Sequence, residues 1–172
     1  MIILIIMKKL VFILLFLAVF SLGRLCHADV LRGLVVAVAD GDTITVLDDL
    51  KQQHKIRLMG IDAPEKKQAY GQRSKDSLSE LVYMKYVDVT WSKHDRYGRI
   101  VGHVKLEGAD ICLEQIKRGM AWHYKQYQRE QVEGDRSLYG ASESAARELK
   151  VGLWHDETPI EPSSFRRYIF SN

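Results

Sequence analysis

Cysteine is nearly absent. Two occur in 172 residues, and one of them, Cys26, lies in an N-terminal apolar stretch. With that stretch set aside, Cys112 stands alone and no internal disulfide can form, even in a compartment that permits one. Within "DICLEQIKRG" it reads as a small buried apolar residue on a helix. The six histidines lack paired ligand spacing, which argues against a zinc site. There are three prolines, no internal repeat and no low-complexity stretch. Nothing therefore marks a linker or a second domain.

A long hydrophobic run is also missing. The longest is "LVFILLFLAVF" at residues 10–20, 11 residues preceded by Lys8 and Lys9. About 20 are needed to span a bilayer. "MIILIIM" would extend the apolar stretch toward a membrane anchor, but the two lysines interrupt it. A basic start, a short apolar run and small residues ending in "CHAD" describe a secretory signal peptide over residues 1–28, cut after Ala28. Met7 is an alternative start, because "MKKLVFILL" is already a complete signal opening. A lipoprotein anchor on Cys26 is disfavoured, since "LGRLC" has Arg and Leu where small residues are required. The expectation is a secreted or periplasmic protein whose remaining domain, residues 29–172, does not stay on a membrane.

Charge of one sign is the third absence. The excess of 25 basic over 22 acidic residues disappears once Lys8, Lys9 and Arg24 leave with the signal, because that segment holds no acid. A neutral domain can bind a polyanion only through a local cluster, not through its overall field. Residues 29–172 are enough for one domain that buries roughly two-thirds of its unfolded surface.

Strand patterns fill the first half. "DVLRGLVVAVA" is rich in Val and Leu, "DTITVLD" alternates, and "HKIRLMGID" sets Ile56 and Leu58 against Lys55 and Arg57. Turn residues at Asp40-Gly41 and in "DDLKQQ" separate them, which predicts an antiparallel meander. "YVDVTWSK" and "RIVGHVKLE" add two strands across "HDRYG". Helical spacing appears in "QAYGQRSKDSLSELVYM", with Leu78, Leu81, Val82 and Met84, and in "DICLEQIKRGM", which ends at Gly119. A third helix, "DRSLYGASESAARELKVGLW", is expected to bury Leu138, Ala141, Ala145 and Leu149. "HDETPIEPSSFRRYIF" reads as an irregular surface tail. The fold class expected is α+β, mainly β: a five-stranded OB-fold barrel with three packed helices. Closing such a sheet on itself removes its exposed edges.

Five charged residues then attract attention: Asp42, Arg57, Asp62, Glu65 and Arg99. Each has an ordinary reading. Asp40 and Asp42 around Gly41 are hairpin punctuation. Arg57 is a solvated strand position. "DAPE" is a turn set by Pro64, and "DRYGR" a turn built on Gly98. The meander changes their meaning. Asp42 begins one strand, while Asp62 and Glu65 follow the end of its antiparallel neighbour, so all three acids share one edge. Three close carboxylates need a cation, and an oxygen-only set favours Ca²⁺ or Mg²⁺ over zinc. An EF-hand is excluded, because "DGDTIT" has Ile44 and Thr45 where that loop needs a ligand and a glycine. Two arginines, three carboxylates and a divalent cation leave one net positive charge. That balance suits the extra negative charge of a phosphodiester transition state. Arginine's planar fork meets two phosphate oxygens at once.

Taken in order, "ADGDTITV", "IRLMGIDAPE", "DRYGRIVGHV" and "IKRGMAWHYKQY" resemble the motifs of the staphylococcal (micrococcal) nuclease family. "GLW" and "PIEPSSFRR" resemble its bacterial members, and the likeness covers residues 30–170. The resemblance implies calcium-dependent hydrolysis of DNA and RNA, preferably single-stranded or unpaired, by a monomer. It implies in-line attack by water, loss of the 5′ oxygen and 3′-phosphate products. Asp42, Asp62 and the Ala63 carbonyl would hold Ca²⁺; the family archetype has threonine at the last position. Glu65 would act as base or orient the water, and Arg57 and Arg99 would grip the phosphate. Tyr97 would contact phosphate. Tyr127 or Tyr124 would stack a base, with an ungapped count from Gly119 favouring Tyr127. Trp91, Trp122 and Trp154 read as packing residues. "KKQAYG" is shorter than the archetype's lysine-rich loop, so affinity and the balance of DNA against RNA are open. The alternative is a catalytically inactive nucleic-acid-binding module on the same fold.

Overall fold

A computed structural model describes residues 29–170. The expected signal peptide, residues 1–28, lies outside the described residues. Strand β1 (Asp29–Asp40) is long enough to serve two neighbours. Its first half pairs antiparallel with β5 (Tyr86–His94), from Asp29↔Trp91 to Leu34↔Tyr86. Its second half pairs with β2 (Thr43–Leu47), from Leu34↔Leu47 to Asp40↔Thr43, with two register shifts that bend it. Gly33 sits at the hand-over. A Cβ there would come within 2.4 Å of the Leu47 carbonyl oxygen, so only glycine permits the crossing.

β2 continues antiparallel to β3 (Gln53–Leu58), which completes the expected meander. β5 pairs with β6 (Ile100–Leu106), and β3 closes the barrel against β6 through Ile56↔Ile100, Arg57↔Val101 and Leu58↔Gly102. That last pairing is parallel. The result is a closed five-stranded barrel of OB type, mainly β, with helices packed on it. Short strands finish the ends: β4 (Ile61–Asp62) pairs with β8 (Trp122–His123), and β7 (Ala109–Asp110) with β6. Alternation does what the sequence suggests. Ile44, Val46, Ile56, Leu58, Val87, Val89, Ile100 and Val104 fill the interior.

Helix α1 (Gly71–Val82) packs Leu78 and Val82 into that core and stops before Met84, which has a left-handed φ of 57° and is exposed. Helix α2 (Ile111–Lys117) buries Cys112, whose thiol is pushed up to about 12 chiefly by burial; it is the packing residue expected. The helix ends where Gly119 turns left-handed, as anticipated.

Helix α3 (Glu133–Glu148) is correctly placed, but its inner face is not the one expected. Leu138, Ala141, Ala145 and Leu149 are exposed, and Tyr139, Glu143 and Ala146 are buried instead. Polar partners explain the rotation. The Tyr139 hydroxyl donates to Asp110 Oδ2 at 2.7 Å, and Glu143 takes the His123 N–H and the Lys125 ammonium. Satisfied polar groups therefore outweigh two leucines. The tail also departs from expectation. Helix α4 (Pro162–Phe170) replaces an irregular segment, with Pro162 at its first position and the Glu161 carbonyl accepting from the Ser164 and Phe165 N–H groups. Trp122 and Trp154 pack edge to face at 4.4 Å, under the Arg147 guanidinium. Trp91 is half-buried against the core, so all three tryptophans pack as expected. Among the described residues no helix is long and apolar enough to cross a membrane.

Asp110 joins β7, α2 and α3. It accepts from the Leu113 N–H at 3.0 Å and from Tyr139, and His103 Nε2 lies 2.8 Å from Oδ2. Burial pushes its carboxyl up, but these partners outweigh burial and hold it below the usual value of 3.8. A depressed folded-state value means its stabilisation is complete above about pH 4 and is lost as pH falls through the lower folded value. Asp110→Ala is expected to cost about 2 kcal/mol in urea melts at pH 7, through the lost cap and hydroxyl partner. The gap to wild type should narrow below pH 4. An equal gap at pH 7 and pH 3 would refute this role.

Candidate active site

The register of β2 and β3 builds the site. Thr43 faces Arg57 across the pair, and the Leu58 N–H donates to the Asp42 carbonyl at 2.8 Å. Asp42 is thereby fixed one residue before β2. Its Oδ2 accepts the Ala63 N–H at 2.8 Å and lies 3.0 Å from Arg57 Nη2, while Oδ1 accepts the Thr43 hydroxyl. Arg57 Nη2 also donates to Asp62 Oδ1 at 2.9 Å. Its Nη1 donates to the Leu58 and Ile61 carbonyls, which locks the guanidinium flat across the barrel rim. The structure thus brings Asp42, Arg57, Asp62 and Ala63 together.

Glu65 joins them through a residue the sequence reading passed over. Arg166, on α4, donates from Nη2 to Asp62 Oδ2 at 2.9 Å and from Nη1 to Asp62 Oδ1 at 3.2 Å. The same Nη1 donates to Glu65 Oε1 at 2.7 Å. Asp62 is nearly enclosed, its side chain 3% exposed, whereas Glu65 at 39% faces the opening. A proline-led run of nine residues without a breaker could have disclosed the helix. A contact 104 residues away in the chain leaves no local trace.

Arg99 reaches the cleft from the turn that precedes β6. Asp95 organises its turn: Oδ1 accepts the Tyr97 and Arg99 N–H groups, and Oδ2 lies 2.7 Å from Arg99 Nε. Burial pushes the Asp95 carboxyl up, but Arg99 and the two N–H groups together outweigh it and hold it below the usual range. Arg99 Nη1 reaches the Thr43 hydroxyl at 3.3 Å, one residue from Asp42. Tyr97 stands outside this turn, 68% exposed, with the Arg96 and Arg99 guanidiniums over its ring at 4.8 and 5.5 Å.

These residues line one cleft of about 1020 Å³. Tyr124 and Tyr127 give it an aromatic wall, edge to face at 5.0 Å, with the Lys93 ammonium 5.4 Å from the Tyr127 ring. All nine residues expected at the site border this cleft. Burial pushes Asp42 up to about 7; Arg57 opposes that, and Asp40 and Asp62 add to it. Burial also raises the Tyr124 phenol. For Arg166 burial works against the charge, but Asp62 and Glu65 outweigh it and hold the guanidinium charged.

The donor set suits a hard cation, because every side-chain ligand candidate is a carboxylate. Among the described residues, however, no three His, Cys, Asp or Glu side chains stand ready as a metal cage. Guanidiniums hold the acids in that place.

The arrangement defines a class: an OB-type barrel with a rim of acids and arginines opening on an aromatic-walled cleft. A profile of the family described as Staphylococcal nuclease homologue matches residues 55–156. The chain belongs to that family. It is 43% identical over 161 residues to an "Uncharacterized endonuclease" of Escherichia coli, covering 93% of this chain and 98% of that one. A protein of the same description from Haemophilus influenzae is 42% identical over 151 residues, covering 88% and 82%. A "Micrococcal nuclease" of Shigella flexneri is 38% identical over 145 residues, covering 79% and 80%. These likenesses support an endonuclease, a hydrolase whose substrates are nucleic acids.

Behind the rim lies a buried polar network that sequence reading also missed. Gln115 donates from Nε2 to the Gly41 carbonyl at 2.9 Å and to the Ser74 carbonyl at 3.1 Å, and accepts from the Ser77 hydroxyl. It holds the Asp40–Asp42 turn from below. Gly41 has no room for more: a Cβ would sit 1.8 Å from Ser74 Oγ. Gln115→Leu removes three buried hydrogen bonds and is expected to cost about 2–4 kcal/mol. Chemical denaturation checks this, and a loss under about 0.5 kcal/mol would show the network to be dispensable.

Proposed function

We propose that the protein is an exported, calcium-dependent endonuclease that hydrolyses phosphodiester bonds of DNA and RNA to 3′-phosphate ends. The observation that carries this reading is the convergence of Asp42, Arg57, Asp62, Glu65 and Arg99 on one cleft. Asp42, Asp62 and the Ala63 carbonyl are the groups to hold Ca²⁺. When bound, the ion supplies positive charge beside the scissile phosphate. Glu65, the acid open to solvent, accepts or orients the proton of a water. The water oxygen bonds to phosphorus as the bond to the 5′ oxygen breaks, and that oxygen takes up a proton. Arg57, between Asp42 and Asp62, and Arg99, beside Thr43, are there to meet the charge that grows on phosphorus.

Arg99 is held in plane by Asp95 before any substrate arrives, so little reorganisation is needed during reaction. Tyr97 contacts phosphate outside the turn, and Tyr124 and Tyr127 offer ring faces to unpaired bases. A preference for single-stranded or unpaired substrate follows, because a paired base cannot reach those rings. One cleft on one chain is sufficient for all these roles, so a monomer is the working unit.

Plasmid digestion with Ca²⁺, with and without EGTA, followed by end-group analysis, tests the proposal. Cleavage is expected only with Ca²⁺ and with 3′-phosphate ends; chelator-insensitive cleavage would overturn the metal assignment. Retention of substrate without cleavage would favour an inactive binding module. Arg99→Lys should lower kcat by about a hundredfold or more while leaving the circular dichroism spectrum unchanged, since a point charge replaces a bidentate fork. Wild-type cleavage by that variant would remove Arg99 from the chemistry. Export rests on the segment before Asp29. N-terminal sequencing of the exported protein is expected to start at Asp29, and a retained Met1 or Met7 would mean an anchor.

A further inference from the structure

The metal reading leaves one residue unexplained. Asp62 and Glu65 are already paired to a cation of the chain's own, Arg166, through three contacts of 2.7 to 3.2 Å. Both Asp62 oxygens are engaged, one by Arg166 alone and the other by Arg166 and Arg57 together. A divalent ion coordinated by Asp62 would meet the same oxygens and the same charge.

α4 gives no residue to the core cluster that fills the barrel. Gln68 ties the chain just before it, donating to the Ile160 carbonyl at 2.6 Å while accepting the Glu65 N–H. The helix itself is not flush with the barrel. A groove of about 270 Å³ runs between Lys66 and Lys67 on one side and Phe165 and Ile169 on the other. Arg166 is therefore a charged anchor of the helix to the site, and the helix can lift without opening the core.

We propose that Arg166 is a built-in monocation that a divalent ion must displace from Asp62 and Glu65, so that metal binding releases α4 from the mouth of the cleft. This rests on the calcium reading above. In the free protein the guanidinium neutralises acids that would otherwise repel one another at the rim. Ion binding puts two positive charges at the Asp62 oxygens in place of one, and the freed Arg166 leaves Glu65 open to its water. The exchange sets the metal affinity below what the carboxylates alone would give.

Isothermal titration of Ca²⁺ into the purified protein, without nucleic acid, tests this. Arg166→Gln is expected to bind Ca²⁺ about tenfold tighter than wild type, since no charge-assisted pair has to break. Arg166→Lys, which keeps the charge but loses the fork, should fall between them. Hydrogen exchange over residues 162–170 should speed up when Ca²⁺ is added to wild type. Arg166 is a third exposed at the side chain, so neither variant threatens folding, and thermal melts confirm that. Equal or weaker Ca²⁺ binding by Arg166→Gln would overturn the proposal and leave the calcium reading intact. No Ca²⁺ binding by either folded protein would overturn both.

Discussion

Two nearly buried carboxylates, Asp42 and Asp62, share one guanidinium, that of Arg57. Such a cluster is expensive to bury, and it persists only where geometry and further hydrogen bonds compensate. Here backbone supplies much of the compensation. The Ala63 N–H binds Asp42, and the Leu58 and Ile61 carbonyls bind Arg57. Those groups are in place only because Thr43 pairs with Arg57 across β2 and β3. A slip of one residue would turn Arg57 into the barrel core and Ile56 into the cleft. The chemistry of the rim therefore depends on a register that apolar packing, chiefly Ile44 against Ile56, enforces from the other face.

Closure makes that register rigid. β3 has β2 on one side and β6 on the other, so Arg57 stands on a strand with no free edge. The β6 partner also brings Arg99, one residue before its first position. The two arginines reach the same cleft by different routes, one along a strand and one from a turn. Neither needs a long flexible loop, and both are anchored by a carboxylate, Asp62 for Arg57 and Asp95 for Arg99. Preorganisation of this kind is what lets donors act without first paying for ordering.

Much of this was legible in the residues, and the limits are physical. Alternation and turn residues are local signals, so the meander and the meeting of Asp42 with Asp62 could be read directly. The parallel β3–β6 pairing joins residues over 40 positions apart, so sequence could suggest a barrel but not this pairing. On α3, hydropathy pointed to Leu138 and Leu149, yet the buried face carries Tyr139 and Glu143. A periodicity count cannot see that Asp110 and Lys125 await those side chains from distant segments. Arg166 was lost for the same reason. Its helix looked like a tail because the partners of Arg166, Asp62 and Glu65, lie about a hundred residues away in the chain.

Asp40, Gly41 and Asp42 show why the ordinary and the functional readings of a turn need not compete. Asp40, partly exposed, accepts the Asp42 N–H and serves the turn. Gly41 passes against Ser74 with no room for a side chain. Asp42, enclosed by Thr43, Ala63 and Arg57, faces the cleft. The turn is tight because its glycine is clamped from below by Gln115, and that tightness is what aims Asp42. The same holds at "DRYGR", where the carboxylate that closes the turn, Asp95, also sets the plane of Arg99. In both places the bond that shapes the backbone is the one that positions the charge. A substitution that spared the charged residue but relaxed its turn would disarm the site as surely as removing the charge.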